Sequence, residues 1–445
     1  MTDTRNTVAS GLRRWGTLLT AAVVMAGAVG YAVRDREQAG PVGTGGIATV
    51  APTAPVQPAD VDVNARSQAI DAFLMQRAAA ITAVDEQSFL AGVDATATQL
   101  VAAQQMLFAN LVDLGLEYLR YDRRQDQFDQ AMLERYGPTA YSVRIAMTYQ
   151  IKGIDSEPVR TELCYTFAER NGNWLLVDDS AFDAGLTPGA HREPWDLSRL
   201  EIHRAPRLMV LVDKGQTEFG RSVRTAAEQA LALVDKYWPG GWHGSVLVSA
   251  TDQERVRGAD FTTTDHDSSA SATGTYRSLP GDVTKEGVFA GAYVVVNPAE
   301  HKNVDEILLS HEFTHVATAA LGGYEPLWLA EGVAEYVSWK GVEEVSGPDD
   351  VADWEADVQR NTLPKMTSLP ADTGFYTSQE DVYGVSWLAV RLLMRRIGAR
   401  KLVDMYTVMA RDGWNDAARA LAMRTYAGLT EQQLFTALKS YRPVR

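Results

Sequence analysis

The chain is nearly devoid of cysteine. Among its 445 residues only Cys164 is present, so no internal disulfide can form and no thiolate zinc site can be assembled. Within VRTELCYTFAER that residue reads as a small apolar side chain in a strand, and it leaves the redox compartment open. Positive charge is in deficit as well: 42 Lys and Arg stand against 57 Asp and Glu, a formal net charge of −15. No basic run interrupts that balance, which argues against a nucleic-acid partner. Long apolar runs are scarce, and the one near the N-terminus stands out for that reason. Histidine is scarce too, seven in all, so two of them four residues apart are a notable concentration.

What the chain does contain is ordinary globular material. An apolar content of 46% and a charged content of 22% support sizeable cores, and the length calls for two or three units. Residues 1–15 read as a cytoplasmic tail. From Gly16 to Val33 the run GTLLTAAVVMAGAVGYAV is uncharged, with Arg13 and Arg14 before it. At roughly 18 residues it just reaches the length of a membrane span, and the charge asymmetry places the N-terminus in the cytoplasm and the rest outside. The expectation is a single-pass cell-membrane protein. A cleaved signal peptide, with Gly30-Tyr31-Ala32 as its processing site, is the competing reading and would give a secreted protein. Residues 34–63, rich in Gly, Pro, Ala and Thr, read as a flexible tether.

Residues 64–200 form a first α+β unit. Ile70, Phe73, Leu74, Ala78 and Ile81, then Leu100, Leu107, Leu111 and Leu114, recur at helical spacing. The period then changes to that of strands at 141–151, 159–170 and 173–181, with Asn171-Gly172 as a hairpin turn. Residues 201–445 form a second unit. Strands are expected at 207–213, 245–250 and 291–298 and a helix at 217–237, while 259–286, poor in apolar residues, reads as a long exposed loop. The last of these strands could accept an extended peptide by strand addition.

The chemistry concentrates at His311-Glu312-Phe313-Thr314-His315. On a helix, positions four apart share a face, so His311 and His315 can present two imidazoles to one metal ion while Glu312 stands beside it as a general base. Asn303 and Glu306 offer a capping box for this helix, and Gly322-Gly323 a stop. A second helix begins at Pro326 and carries Glu331 and Glu335 on one face, so that one can bind the metal and the other orient a ligand histidine.

The segment HEFTHVATAALGGYEPLWLAEGVAEYVSW resembles the zinc-binding core of the gluzincin metallopeptidases, in particular the bacterial peptidase MA-like families of the thermolysin and aminopeptidase clan. That resemblance implies Zn2+ held by His311, His315 and the glutamate of the W-L-x-E-G segment, Glu331. The gap between His315 and Glu331 is shorter than in thermolysin, which keeps Glu335 as an alternative ligand or as the acidic partner of a ligand histidine. DVYGVSWLAVRLLMRRIG resembles the helix that follows in the same families and implies Tyr383 as an oxyanion donor. The first unit is similar in its order of elements to the cone-shaped nuclear-transport-factor-two-like fold, which implies a protein or small-molecule partner for it. The expected protein is therefore an α+β chain with one N-terminal transmembrane helix, a cone-like domain and a mainly helical zinc peptidase domain with a small β-sheet. It would hydrolyse peptides or proteins outside the cytoplasm. No Gly-x-Met-x-Asn segment of the aminopeptidase kind is present, which favours an endopeptidase. The alternative is a non-catalytic cell-envelope scaffold whose zinc site is structural.

Overall fold

The computed structural model describes residues 55–127, 130–180, 192–256, 259–260, 269–276 and 289–441. The chain enters through α1 (Val63–Ala83), α2 (Glu86–Leu90) and α3 (Thr98–Leu114). Asp62 caps the first of these by accepting from the backbone N–H groups of Asn64 and Ala65. An antiparallel meander follows: β1 (Leu116–Gln127), β2 (Tyr141–Ile151), β3 (Val159–Arg170) and β4 (Asn173–Asp178), paired in that order, with α4 (Gln130–Tyr136) between the first two. Asn171 and Gly172 close the last hairpin with φ of 53° and 82°, the left-handed pair that a two-residue turn needs. Strand β1 has no counterpart among the strands expected from periodicity, because LEYLRYDRRQDQ is charged at most of its outward positions. As an edge strand it pairs only with β2 and buries Tyr121 toward the helices.

After α5 (Pro194–Leu197) comes a five-stranded mixed sheet built from β5 (Leu200–Ala205), β6 (Leu208–Asp213), β7 (Val246–Ser249), β10 (Ala270–Tyr276) and β11 (Phe289–Val296), with α6 (Thr217–Tyr237) crossing between β6 and β7. A two-stranded ribbon, β8 (Arg255–Val256) and β9 (Ala259–Asp260), lies between β7 and β10 in sequence. The spatial order is β10-β11-β7-β6-β5; the three central strands run parallel and both edge strands antiparallel to their neighbours. The central strands are apolar at nearly every position because both faces are covered. Val210, Val212, Val248, Val294 and Val296 face the helices on one side, and Met209, Leu211, Leu247 and Tyr293 face the other way. That second face packs against Tyr149, Ile151, Trp195 and Leu200, so the core of the first unit continues onto the back of this sheet. The remaining helices are α7 (Glu306–Ala319), α8 (Leu327–Ser346), α9 (Pro348–Asp357), α10 (Val382–Asp412), α11 (Asp416–Ala422) and α12 (Glu431–Ser440).

Two expectations are corrected here. The single transmembrane helix expected over 16–33 lies outside the described residues, and among the described residues no helix is long and apolar enough to cross a membrane. Over the described residues the fold is α+β with no such helix, and the segment from which the localisation is inferred lies outside them. The stretch 259–286, expected to be loop throughout, contains β10, whose buried positions Ala270, Ser271, Ala272 and Thr275 are too small or polar to register as a strand. Strand β11 is therefore paired on both sides, and the free edge nearest α7 belongs to β10.

Candidate metal centre

Helix α7 is buried on nearly all sides, from Leu308 through Thr318, as expected of a helix laid between a sheet and other helices. Its cap is Asp305, whose carboxylate accepts from Ile307 and Leu308 N–H at 3.0 and 2.9 Å. Asn303, which the capping-box pattern selects, instead ends a 3-10 turn over Pro298–Asn303. Burial pushes the Asp305 carboxyl up to about 6, against the pull of the Leu308 and Ile307 N–H groups. Helix α8 starts at Leu327, one residue after Pro326, and lies against α7 and α10.

The packing brings His311, His315 and Glu331 to one point. His311 Nε2 and His315 Nε2 lie 3.1 Å apart. Glu331 Oε2 is 3.2 Å from the first and 3.3 Å from the second. All three residues are buried. Two imidazole nitrogens and one carboxylate oxygen are a donor set suited to zinc, and the triangle matches the edge of a tetrahedron with ligand bonds of about 2.0–2.1 Å, on the order of 3.3 Å. The three residues can therefore hold a metal ion, and among the described residues they are the one such group. Burial would raise the Glu331 carboxyl, but the imidazoles of His315 and His311 outweigh it and hold it at about 2.

Around these three, a second set of contacts fixes their orientation. Glu335 Oε1 lies 3.2 Å from His311 Nδ1, on the side of the ring away from the triangle, and Glu335 Oε2 accepts from Trp339 Nε1 at 2.7 Å. Glu335 thus sits where a partner of a ligand histidine belongs, and not in the donor triangle. Tyr376 O–H donates to the other oxygen of Glu331, Oε1, at 3.0 Å. Glu312 is fully buried on the same helix, and neither of its carboxylate oxygens has a side-chain hydrogen-bond partner. Burial pushes its pKa up, the two histidines and the Ala272 backbone of β10 pulling the other way. Tyr383, in the first turn of α10, has its ring centroid 6.4 Å from that of His311. Burial, with the Glu331 charge next, drives its hydroxyl well above its usual range, so it stays protonated.

Sequence reasoning selects His311, Glu312, His315, Glu331, Glu335 and Tyr383, and the fold gathers all six around one centre. It misses Tyr376 and β10. Tyr376 lies in a loop 45 residues from its partner and carries no spacing signal. Trp339, by contrast, is four residues from Glu335 and was within reach of helical periodicity.

No protein-family profile matches the chain, and no curated protein does. Among solved structures it is similar to M1 zinc metallopeptidases of low identity. One is the enzyme from Deinococcus radiodurans, with 15% identity, a TM-score of 0.29, and coverage of 69% of this chain and 62% of that one. A mutant of that enzyme bound to a Tyr-Ser-Ala substrate has 15% identity, a TM-score of 0.30 and the same coverage. A two-domain M1 zinc metallopeptidase mutant bound to L-tryptophan has 14% identity, a TM-score of 0.28 and again the same coverage. The chain thus spans about three fifths of the length of the structures it matches. None of these structures is named for a cone-shaped fold of the kind suggested for residues 64–200.

Proposed function

We propose that the protein is a zinc-dependent peptidase in which His311, His315 and Glu331 hold the ion. The observation that carries this reading is the pairing of a three-donor triangle with a buried carboxylate, Glu312, that no other side chain holds by a hydrogen bond. A closed structural site would be completed by a fourth protein ligand. Here the next carboxylate, Glu335, faces the far nitrogen of His311, which favours a catalytic site over a scaffold. When bound, zinc supplies a Lewis acid and brings the acidity of water toward neutrality. Glu312 takes a proton from the attacking water and returns it to the leaving amine, and its raised pKa suits both halves of that task. Tyr383, protonated and within the site, donates to the developing oxyanion.

A peptide in extended form would lie along β10, the sheet edge packed on α7, with its scissile bond beside Glu312. This is the finer reading, together with internal rather than terminal cleavage, which the absence of a Gly-x-Met-x-Asn segment favours. The test is hydrolysis of a quenched-fluorescence peptide library by wild type and Glu312→Gln. Cleavage at internal bonds by the wild type, lowered about 10²–10⁴-fold in the variant without loss of metal, is the expected result. Equal turnover by both proteins would refute the role of Glu312.

A further inference from the structure

The loop before α10 touches α8 twice, at positions that match the helix repeat. Asp372 accepts from the backbone N–H of Leu327 at 2.8 Å. Leu327 is the first residue of α8, whose own cap residue, Pro326, offers no side-chain bond. Four residues along the loop, Tyr376 donates to Glu331 Oε1 at 3.0 Å, four residues along the helix. Asp372 is itself held by Arg419 at 2.7 Å. Phe375 is buried and packs edge-on to both Tyr376 and Tyr383, with centroids 5.4 and 5.2 Å apart. The loop is thus a strap, tied at 372 and 376 to one side of α8.

Resting on the zinc-peptidase reading, we infer that Tyr376 is a positioning residue that makes Glu331 a one-oxygen ligand. A carboxylate beside a metal can bind through one oxygen or both. Binding through both uses the position that must stay open for chemistry. Glu331 Oε2 faces the two histidines, and Tyr376 occupies Oε1 with a hydrogen bond, so that this oxygen is turned toward the phenol. The strap thereby couples the start of α8, through Asp372, to the denticity of the ligand one turn later. Partners of this kind commonly set metal affinity by about tenfold to a hundredfold.

The experiment uses the full chain, purified, stripped with chelator and reloaded with zinc or cobalt(II), as wild type, Tyr376→Phe and Asp372→Ala. Phenylalanine removes only the hydroxyl from a half-buried side chain, and the thermal midpoint of the metal-free proteins checks that both variants fold as the wild type does. The expected result is a zinc dissociation constant raised about tenfold to a hundredfold in Tyr376→Phe, with weaker visible bands of the cobalt protein as its coordination number rises. Asp372→Ala should shift both readouts in the same direction by less. A Tyr376→Phe protein that folds, binds zinc as tightly as wild type and keeps the cobalt spectrum would overturn the inference while leaving the peptidase reading intact. A wild type that binds neither metal would overturn the reading on which it rests.

Discussion

At the scale of single residues, position matters as much as identity. Glu312, Glu331 and Glu335 are all glutamates and all buried, yet each meets different neighbours. Glu331 meets two imidazoles and a phenol, Glu335 an imidazole and an indole, and Glu312 no side-chain hydrogen-bonding partner, only the Ala272 backbone. Removing the Glu335 carboxylate with Glu335→Gln should therefore loosen metal about tenfold to a hundredfold without abolishing the site, as equilibrium dialysis against a chelator would show. Loss of all metal in that variant would make Glu335 a direct ligand. Gly332, beside Glu331, has a packing duty. A Cβ there would come within 2.5 Å of the Ser386 carbonyl oxygen on α10. Gly332→Ala should cost about 1–3 kcal/mol of stability, readable in urea unfolding, and an unchanged midpoint would show that the two helices have room to part. The glycine of the W-L-x-E-G segment is thus explained by helix contact.

At the scale of elements, the helices, the central strands and the edge strand β4 were largely legible in the sequence, and the edge strands β1, β5 and β10 were not. Helix 217–237 and strands 141–151 and 159–170 coincide with the periodic segments, because they bury a full face and their apolar spacing must match it. Strands β1 and β10 are edges, with charge on one and small polar residues on the other, and neither pattern carries the strand period. The donor set was legible because one helix supplies two of its members at four-residue spacing and the next helix supplies the third. Tyr376 and Ala272 enter from a loop and an edge strand, where nothing local encodes the contact. The α7 cap was misplaced for a similar reason, since the capping-box pattern selects Asn303, which the 3-10 turn takes up, and the cap falls to Asp305. Asp305 leads to a pH effect. Its pKa in the folded chain, about 6, lies above the usual carboxylate value, so the folded state binds the extra proton. Its contribution to stability is full in acid below about pH 4 and is lost as pH rises through 6. Asp305→Asn keeps a capping side chain without the charge. In metal-free protein it should gain on wild type by about 1–2 kcal/mol between pH 4 and 7, measured as the difference in thermal unfolding at each pH. A difference that stays constant across this range would mean the buried charge carries no penalty.

At the scale of the whole molecule, the sheet that carries β10 has two covers, the helices that carry the His311–His315–Glu331 triangle on one face and the first unit on the other. Tyr149, Ile151 and Trp195 of the first unit share a core with Met209, Leu211 and Tyr293 of the sheet, and Ser156 donates to the Ala290 carbonyl from its backbone N–H and its hydroxyl, each at 2.8 Å. A fragment restricted to 201–445 would bare that apolar face. It should be aggregation-prone or molten by near-ultraviolet circular dichroism, and a fragment as well folded as the full chain would show the first unit to be an appendage. The site is thus placed from three directions, by α7 and α8, by the strap before α10 and by a sheet braced from behind. All of this turns on whether the centre holds metal where the triangle lies. The most direct measurement is zinc content per chain, by mass spectrometry, for full-length wild type beside Glu331→Ala and Glu335→Ala. One zinc in the wild type, lost in Glu331→Ala and kept at saturating zinc in Glu335→Ala, is the expected result. A wild type without zinc, or a Glu331→Ala protein that keeps it, would contradict the proposed centre.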